Sequence, residues 1–330
     1  MGKHEEIKVK KDTKKANRKK KRIGLKILIF ILIVLAILGG MFAKRVHDLD
    51  GNWIAALFGH NKNTLENLDK LYVLAVGKSQ GMTDTIIICS YDPKTQEASM
   101  LSIPRDTFIG DSEYRASVYD KINSVYSNDG IEETLNEVNE LTGLDIKNYV
   151  LIDTKALVEL VDAIGGVEFN VPMDMKYDDY SQELHVNLKE GWQTLNGDQV
   201  EQLVRFRHNA DGSTYSYEYG MEDFGRMRTQ REVIMAIAKQ TIQLKNVKEI
   251  GNILDITERY VETNMNFASL KDYIPYAINM NTDNIKAEQL PGQAEYINGI
   301  SFFLADEEET EIMIDELFKG ITVQDTTEEQ

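Results

Sequence analysis

The chain has 330 residues, with 37 Lys and Arg against 54 Asp and Glu, and a formal net charge of −17 at pH 7. The first 45 residues hold 14 basic and 3 acidic residues, so the remainder has 37 − 14 = 23 basic and 54 − 3 = 51 acidic residues, a net charge of −28. A body this acidic argues against nucleic-acid binding, which depends on the neutralisation of phosphates by Lys and Arg.

The N-terminus carries the pattern of a membrane anchor. Residues 1–22 contain eleven Lys or Arg, and an apolar run follows over 24–43. Since a bilayer core requires about 20 apolar residues, we predict a cytoplasmic basic tail over 1–23 and a transmembrane helix over 24–43. A cleaved signal peptide is the competing interpretation, although its apolar region is normally shorter, about 7–15 residues. The positive-inside rule places everything after Lys44 outside the cell, as in a single-pass cell-membrane protein.

Three short runs at the start of the outer part are rich in apolar and β-branched residues and are bounded by turn residues, which is typical of strands. They are 71–77, 85–91 and 97–103. The short link YDPKTQ between the second and third runs predicts that these two strands are antiparallel neighbours. Asp84 stands just before the second run and Arg105 just after the third. An acid and an arginine are therefore expected at the same end of a hairpin.

Helical and strand patterns alternate through the next part of the chain. Apolar residues at helical spacing predict helices within 127–143 and 154–166, and strands are predicted at 149–153 and 167–172. This alternation favours an α/β layered domain with a mixed central sheet.

The sequence between 173 and 225 is polar and tyrosine-rich, which predicts long loops interrupted by a helix-like segment at 197–208. A long helix is predicted from Arg226 to about Leu244. For the last ninety residues, the patterns indicate one or two further helices, two short strands around a turn within 288–306, and a final amphipathic helix near 306–318.

Motifs of several common enzyme classes are absent from the sequence. It has no G-x-S-x-G elbow, no Walker loop and no H-E-x-x-H motif, and its five histidines do not have metal-ligand spacing. A histidine-dependent hydrolase is therefore disfavoured.

A set of arginines remains as the candidate site. Its members are Arg105, then Arg205 and Arg207 in LVRFRH, and Arg226, Arg228 and Arg231 in DFGRMRTQRE. A single arginine in so acidic a body most often pairs with a surface acid. The i, i+2 spacing of Arg205 and Arg207 is different, because it sends both side chains to one face of a strand or splays them around a ligand at a helix end.

Several guanidinium groups that converge on one place need a polyanion, and their fork geometry suits phosphate oxygens. In an outer domain without a nucleotide motif, this points to a lipid pyrophosphate. Asp84, as an acid beside the arginines, would bind Mg²⁺, which bridges phosphate oxygens as a Lewis acid.

Five ordered blocks of the chain also match a known family. They are MTDTIIICSYDPKTQEASMLSIPRDTFI, DKINSVYSNDG, LTGLDIKNYVLIDTKALVELVDAIGGVEFNVP, LNGDQVEQLVRFRH and DFGRMRTQREVI. Together they resemble the LytR-CpsA-Psr family of cell-wall glycopolymer ligases over residues 70–245. LPGQAEYINGISFFLAD is similar to the C-terminal extension of that family.

The resemblance implies an α/β/α sandwich that transfers a glycopolymer, such as teichoic acid or capsule, from an undecaprenyl-pyrophosphate carrier to peptidoglycan. It also implies a hydrophobic tunnel for the isoprenoid chain of the carrier. The domains would be a linker over 44–69, a catalytic domain over 70–245, an extension over 246–320 packed on the same domain, and a disordered tail over 321–330.

Site residues carry over by position. Asp84 would be the acid linked to Mg²⁺ or Mn²⁺. The catalytic set would be Arg105, Arg205, Arg207 and Asp223. The groups that bind the pyrophosphate beside them would be Arg226, Gln230 and Lys78.

The chain departs from the family pattern at three positions. Lys78 and Gln80, in the GKSQG segment, stand where an acid and an arginine are common. Thr229 stands where the family often has an arginine.

Two functions remain open at this point. The first is a phosphotransferase, in which Asp223 or Asp106 removes the proton of the acceptor, although Asp106 fits a turn residue equally well. The second is a non-catalytic protein of the cell envelope that binds the lipid-linked glycan or has a regulatory role.

Overall fold

The computed structural model describes residues 35, 37–79, 81–241, 255, 256, 258–266, 270–278, 280, 281 and 285–319. The chain divides into two units, residues 1–67 and 68–330. Most of the predicted transmembrane helix, residues 24–34 and 36, and the predicted tail over 321–330 lie outside the described residues. Within the described part of the chain, no helix is both long enough and apolar enough to cross a membrane.

The described residues of the first unit form three helices: α1 over 37–48, α2 over Trp53–Leu57 and α3 over Lys62–Glu66. Asn52 and Asn61 cap α2 and α3, because each side-chain oxygen accepts a hydrogen bond from a backbone N–H of the first turn. The segment predicted as a linker therefore contains helices.

The second unit is built on a six-stranded mixed sheet. Its strands are β1 Leu71–Ser79, β2 Met82–Asp92, β3 Glu97–Ile103, β4 Asn148–Asp153, β9 Val261–Thr263 and β10 Ile285–Gln289. Their order across the sheet is β10-β3-β2-β1-β4-β9. β1 pairs antiparallel with β2 and β2 antiparallel with β3, whereas β4 is parallel to β1 and β10 is parallel to β3. The predicted α/β fold with a mixed central sheet is thus confirmed.

Helices cover both faces of the sheet. One core contains Leu74, Ile86 and Leu101 of the strands together with residues of α4 and α5. Ala75 and Gly77, whose side-chain positions alternate with that face, line a cavity with residues of α6 and α8. The fully described α-helices of this unit include α4 Ile122–Asp129, α5 Ile131–Thr142, α6 Thr154–Ala163, α7 Gly197–Arg205, α8 Glu222–Thr241, α9 Ile274–Ala277 and α10 Glu307–Ile314, which a π-helical turn, Asp315–Lys319, extends.

Three two-stranded ribbons complete the second unit. They are β5 Val167–Val171 with β8 Gly191–Leu195, β6 Met175–Asp179 with β7 Leu184–Leu188, and β11 Gly292–Ile297 with β12 Ile300–Ala305. A second core joins the first two ribbons to α6, α7 and α8. The prediction of long loops over 173–225 was therefore wrong, because β6, β7 and β8 lie there.

The structure also corrects several boundaries. α4 was not predicted, because its sequence INSVYSND has low helix propensity. α8 begins at Glu222 rather than at Arg226, and residues 242–244 of that prediction lie outside the described residues. Asp84 lies inside β2 rather than before it.

We predict that Gly197→Ala destabilises the protein. A Cβ atom at this position would lie 2.4 Å from the backbone oxygen of Val158 in α6, and that helix cannot move without losing its own contacts. Overpacking of this kind costs about 1–3 kcal/mol, so the midpoint of urea unfolding, followed by circular dichroism, should fall. Asp198→Ala, at the adjacent exposed position, should cost less than about 1 kcal/mol. Equal midpoints for the two variants would contradict the close approach of α7 to α6.

Candidate active site

Asp84 and Arg105 meet at one end of the β2–β3 hairpin. Ile86 pairs with Ile103, so the antiparallel register, continued by two residues, places Asp84 opposite Arg105. Nη1 of Arg105 lies 2.5 Å from Oδ1 of Asp84. The expectation that the hairpin brings this acid and this arginine together is confirmed.

Asp223, in the first turn of α8, is the common counter-ion of three arginines. Its Oδ1 lies 2.5 Å from Nη2 of Arg226 and 3.9 Å from Nε of Arg207, and its Oδ2 lies 3.7 Å from Nε of Arg105. The three arginines come from different parts of the sequence, yet the side chains converge on one carboxylate. Such convergence is not expected of arginines that pair separately with surface acids.

Burial makes this cluster of charges electrostatically costly. The side chain of Arg226 is only 4% exposed. Its pKa is lowered to about 10, with burial as the main cause; Asp223 and Asp84 oppose this lowering, whereas Arg207 and Arg105 add to it. Burial also lowers the pKa of Arg105, but Asp223, Asp84 and Asp106 outweigh that effect and raise it above its ordinary value.

Several guanidinium donors of the cluster have no hydrogen-bond acceptor. Within the described part of the chain, Nε of Arg105 and Nε of Arg226 are buried and make no hydrogen bond. Nη2 of Arg226 also makes none, because its close contact with Asp223 is out of hydrogen-bond alignment. Since buried donors are nearly always paired in proteins, the cluster has the capacity to bind the oxygens of an anion.

Asp106 and Lys121 extend the charged network on the far side of Arg105. Oδ2 of Asp106 lies 3.7 Å from Nε of Arg105, and its Oδ1 accepts a hydrogen bond of 2.8 Å from Nζ of Lys121. Lys121 in turn lies over the ring of Phe302, 5.5 Å from its centroid. Sequence reasoning missed Lys121, although it stands in the block DKINSVYSNDG that matched the family.

A cavity of about 440 Å³ opens beside the arginines. The predicted site residues that line it are Lys78, Asp84, Arg105, Arg205, Arg207, Arg226 and Gln230. Asp223 is not part of the lining and contacts the cavity arginines instead. The apolar part of the lining is Ala75, Val76, Met82, Ile152, Leu157, Leu184, Val204, Val233 and Ile234. The cavity thus combines a cationic wall with a large apolar surface.

Arg205 and Arg207 reach the cavity from the end of α7. Arg205 is the last residue of the helix, and its side chain is 17% exposed and pairs with Glu201 at 2.8 Å. Its Nη2 also donates to the backbone oxygen of Gln182 in the turn between β6 and β7, at 3.3 Å. Arg207 lies two residues beyond, in extended backbone after Phe206. The sequence allowed Arg205 and Arg207 to lie on one face of a strand or at the end of a helix, and the structure places them at the end of a helix.

The β6–β7 ribbon supplies a wall of the cavity that sequence reasoning missed. Tyr177, Asp179 and Gln182 line the cavity together with His208. The ribbon was overlooked because its polar, alternating sequence was interpreted as a loop.

Two of the three departures from the family pattern, Lys78 and Thr229, lie among the described residues, and only Lys78 lines the cavity. Lys78, at the end of β1, lines the cavity, whereas Gln80 lies outside the described residues. Thr229 is fully buried and is absent from the cavity lining; its hydroxyl donates to the backbone oxygen of Gly225. Threonine at this position therefore acts in the packing of α8.

A divalent cation would not find a protein cage here. No group of three or more Asp, Glu, His or Cys side chains that could hold a metal ion occurs among the described residues. Asp84 lines the cavity with a side chain that is 30% exposed. This donor set fits a Mg²⁺ ion that takes its other ligands from phosphate oxygens and water.

The fold and the cavity define an α/β protein with an arginine-rich anion site beside an apolar pocket. A family model described as the LytR_cpsA_psr family matches residues 57–319. The chain belongs to this family.

Relatives with names and structures are similar over most of the chain. The polyisoprenyl-teichoic acid–peptidoglycan teichoic acid transferase TagU of Bacillus subtilis (strain 168) is 28% identical over 307 residues, which cover 88% of this chain and 94% of that protein. Biofilm regulatory protein A of Streptococcus mutans serotype c is 26% identical over 317 residues, 87% of this chain and 75% of that protein. The crystal structure of B. subtilis TagU is 26% identical and covers 78% of this chain and 99% of its own, with a TM-score of 0.54.

We predict that Asp223→Asn destabilises the protein, because it leaves Arg226 buried without its nearest counter-ion. Breaking a fully buried pair costs about 3–5 kcal/mol; Asp223 is 35% exposed, so we expect about 2–3 kcal/mol. The measurement is chemical unfolding at pH 7. Asp145→Asn, which removes an exposed ion pair with Lys147, should cost less than about 1 kcal/mol. If both variants unfold like the wild type, Asp223 is not the anchor of the cluster.

Proposed function

We propose that this protein is a membrane-anchored phosphotransferase that moves a glycopolymer from a polyprenyl-pyrophosphate carrier to peptidoglycan. The observation that carries the proposal is the convergence of Arg105, Arg207 and Arg226 on Asp223, with buried guanidinium donors that lack acceptors. A pyrophosphate supplies several anionic oxygens to such donors. The adjoining apolar lining suits the isoprenoid chain of the same carrier. The similarity to a teichoic acid transferase over 88% of the chain supports this assignment.

The proposed reaction is an attack by a hydroxyl group of peptidoglycan on the phosphorus atom that carries the glycan. A new bond forms between the acceptor oxygen and phosphorus, the bond from phosphorus to the bridging oxygen breaks, and the lipid monophosphate leaves. Arg105, Arg205 and Arg207 stabilise the negative charge that develops on the phosphate oxygens. The proton of the acceptor passes to Asp223 or to Asp106, the two carboxylates beside Arg105 other than the metal ligand.

Asp84 is the residue proposed to hold Mg²⁺ or Mn²⁺ together with the phosphate oxygens. When bound, the ion would act as a Lewis acid on the pyrophosphate. Lys78, Gln230 and Arg226 complete the proposed contacts to the pyrophosphate from the same cavity wall.

A second function is supported by a specific observation. Lys78 lines the cavity at a position where many family members have an acid, so the chain has one carboxylate fewer for a metal ion. A protein that binds the lipid-linked glycan without turning it over would tolerate that change. The similarity to a biofilm regulatory protein is consistent with such a regulatory role.

We predict that Arg105, Arg205 and Arg207 act together on phosphate. Each change to Ala should weaken binding of the lipid-linked pyrophosphate by about 1.5–3 kcal/mol, the value of a charged hydrogen bond. Each change to Lys should rescue only part of this loss, because lysine lacks the planar fork. The measurement is titration calorimetry with a short-chain polyprenyl-pyrophosphate glycan.

Arg228→Ala is the matched control for this series. Arg228 lies on α8 beside the site, but it pairs with Glu232 and does not line the cavity. The Arg228→Ala protein should bind the carrier with the affinity of the wild type. If the three cavity variants also bind like the wild type, these arginines are only partners of nearby acids.

We predict weak Mg²⁺ binding without substrate and clear binding with it, since one carboxylate needs phosphate oxygens to complete the site. Asp84→Asn should abolish the dependence of turnover on Mg²⁺ and most of the turnover itself. Lys78→Asp should tighten Mg²⁺ binding in the substrate-free protein. Calorimetry on the lipid-free protein is decisive: tight Mg²⁺ binding that Asp84→Asn leaves unchanged would place the metal elsewhere.

We predict that the acidic body lies outside the cell, because eleven basic residues precede the proposed span and the body after it has a net charge of −28. Protease added to intact protoplasts should digest the body and leave the N-terminal tail uncut. The opposite pattern would show an inverted topology, and the proposed reaction at the cell wall would then be impossible.

A further inference from the structure

Three large apolar side chains of the first unit are exposed at and directly after helix α2. Trp53 is 50% exposed, Leu57 66% and Phe58 51%, whereas Ile54 is buried. Trp53 and Leu57, at positions i and i+4, lie on one face of the helix, and Phe58 follows its last residue. The three side chains together are here called the α2 face. Single exposed apolar residues are ordinary, but three large ones so close in the chain indicate a binding surface.

The α2 face is held in place by the end of α1. The backbone N–H of Gly51 donates to the oxygen of Val46 at 2.9 Å, and Nη1 of Arg45 donates to the oxygen of Ala56 at 3.4 Å. α1 itself exposes a series of apolar side chains upstream of this junction: Ile37, Leu38, Met41 and Phe42. The exposed apolar surface of α1 thus leads into a helix that α1 positions.

We propose that the α2 face lies in the membrane interface, with its side chains at the level where acyl chains meet lipid head groups. This inference depends on the proposed membrane anchoring of residues 24–43. Nine residues separate the end of that run from Trp53, so α2 is close to the bilayer surface wherever the run is inserted. Tryptophan is enriched at this depth of a membrane because its ring is apolar and its N–H is polar.

The distribution of charge along the outer chain favours an apolar contact with lipid over an electrostatic one. Residues 44–67 contain three basic and three acidic residues, whereas residues 68–330 contain 22 basic and 48 acidic residues, a net charge of −26. Anionic lipids repel a body of that charge. The neutral segment with the α2 face is therefore better suited to lie on lipid than the acidic body that follows it.

The two tryptophans of the chain make the proposal directly testable. Trp192→Phe leaves Trp53 as the single tryptophan, and Trp53→Phe leaves Trp192, which is 77% exposed on β8. The full-length protein is placed in lipid nanodiscs whose acyl chains are brominated near the head group. Trp53 should lose most of its fluorescence relative to unbrominated lipid and resist quenching by iodide in the buffer. Trp192 should show the opposite pattern.

A variant with Leu57→Ser and Phe58→Ser in the Trp192→Phe background serves as a second measurement. It should remain in the nanodisc, with Trp53 quenched by iodide and no longer by the brominated lipid. The proposal is overturned if Trp53 of the unaltered face is quenched by iodide as readily as Trp192. Protection from both quenchers also overturns it, because another part of the protein or a second copy then covers the face. Failure of the full chain to elute with the nanodisc overturns the membrane anchor as well as this inference.

Discussion

The mutual repulsion of clustered arginines is the physical constraint on which the site depends. Arg105, Arg207 and Arg226 approach one carboxylate closely enough that burial and the neighbouring cations lower the pKa of Arg226 to about 10. Asp223 and Asp84 compensate part of this charge and hold the guanidinium groups in position. Because donors on Arg105 and Arg226 remain without acceptors, a polyanion would complete the compensation. A site arranged in this way before the anion binds has little reorganisation left to perform.

The fold supplies the positions that this constraint requires. The register of the β2–β3 hairpin fixes Asp84 opposite Arg105, and the ends of α7 and α8 bring the other charged residues to the same place. The close approach of α7 to α6 depends on the absence of a side chain at Gly197, whose backbone N–H also donates to Asp162 at 2.8 Å. A packing requirement at the opposite end of α7 thus sets where the arginines of LVRFRH emerge. Helices α6 and α8 also contribute apolar side chains to the cavity beside the arginines.

Strands β1 to β4 of the central sheet and much of the charged site were predictable from the sequence, because apolar runs and turn residues define strands whose ends carry the charges, whereas the edge strands β9 and β10 were not predicted. The β6–β7 ribbon was not predictable in this way: its strand Met175–Asp179 has the polar sequence MKYDD, because every second residue is exposed, and so it lacks an apolar run. Helix α4 was hidden by Asn and Ser, whose side chains bond to nearby backbone, as Ser124 does to the oxygen of Tyr119. The partner of Lys121 could not be predicted, because Lys121 and Asp106 are fifteen residues apart and no helix or strand periodicity relates their positions.

The central claim is that this cluster of arginines transfers phosphate rather than only holding it. The most direct measurement combines the purified full-length protein with a polyprenyl-pyrophosphate-linked glycan, peptidoglycan acceptor and Mg²⁺, and follows both products. The account predicts glycan joined to peptidoglycan through a phosphodiester, with one lipid monophosphate released for each transfer. Carrier that binds to the protein but remains intact in the presence of acceptor would contradict it and would identify a binding or regulatory protein instead.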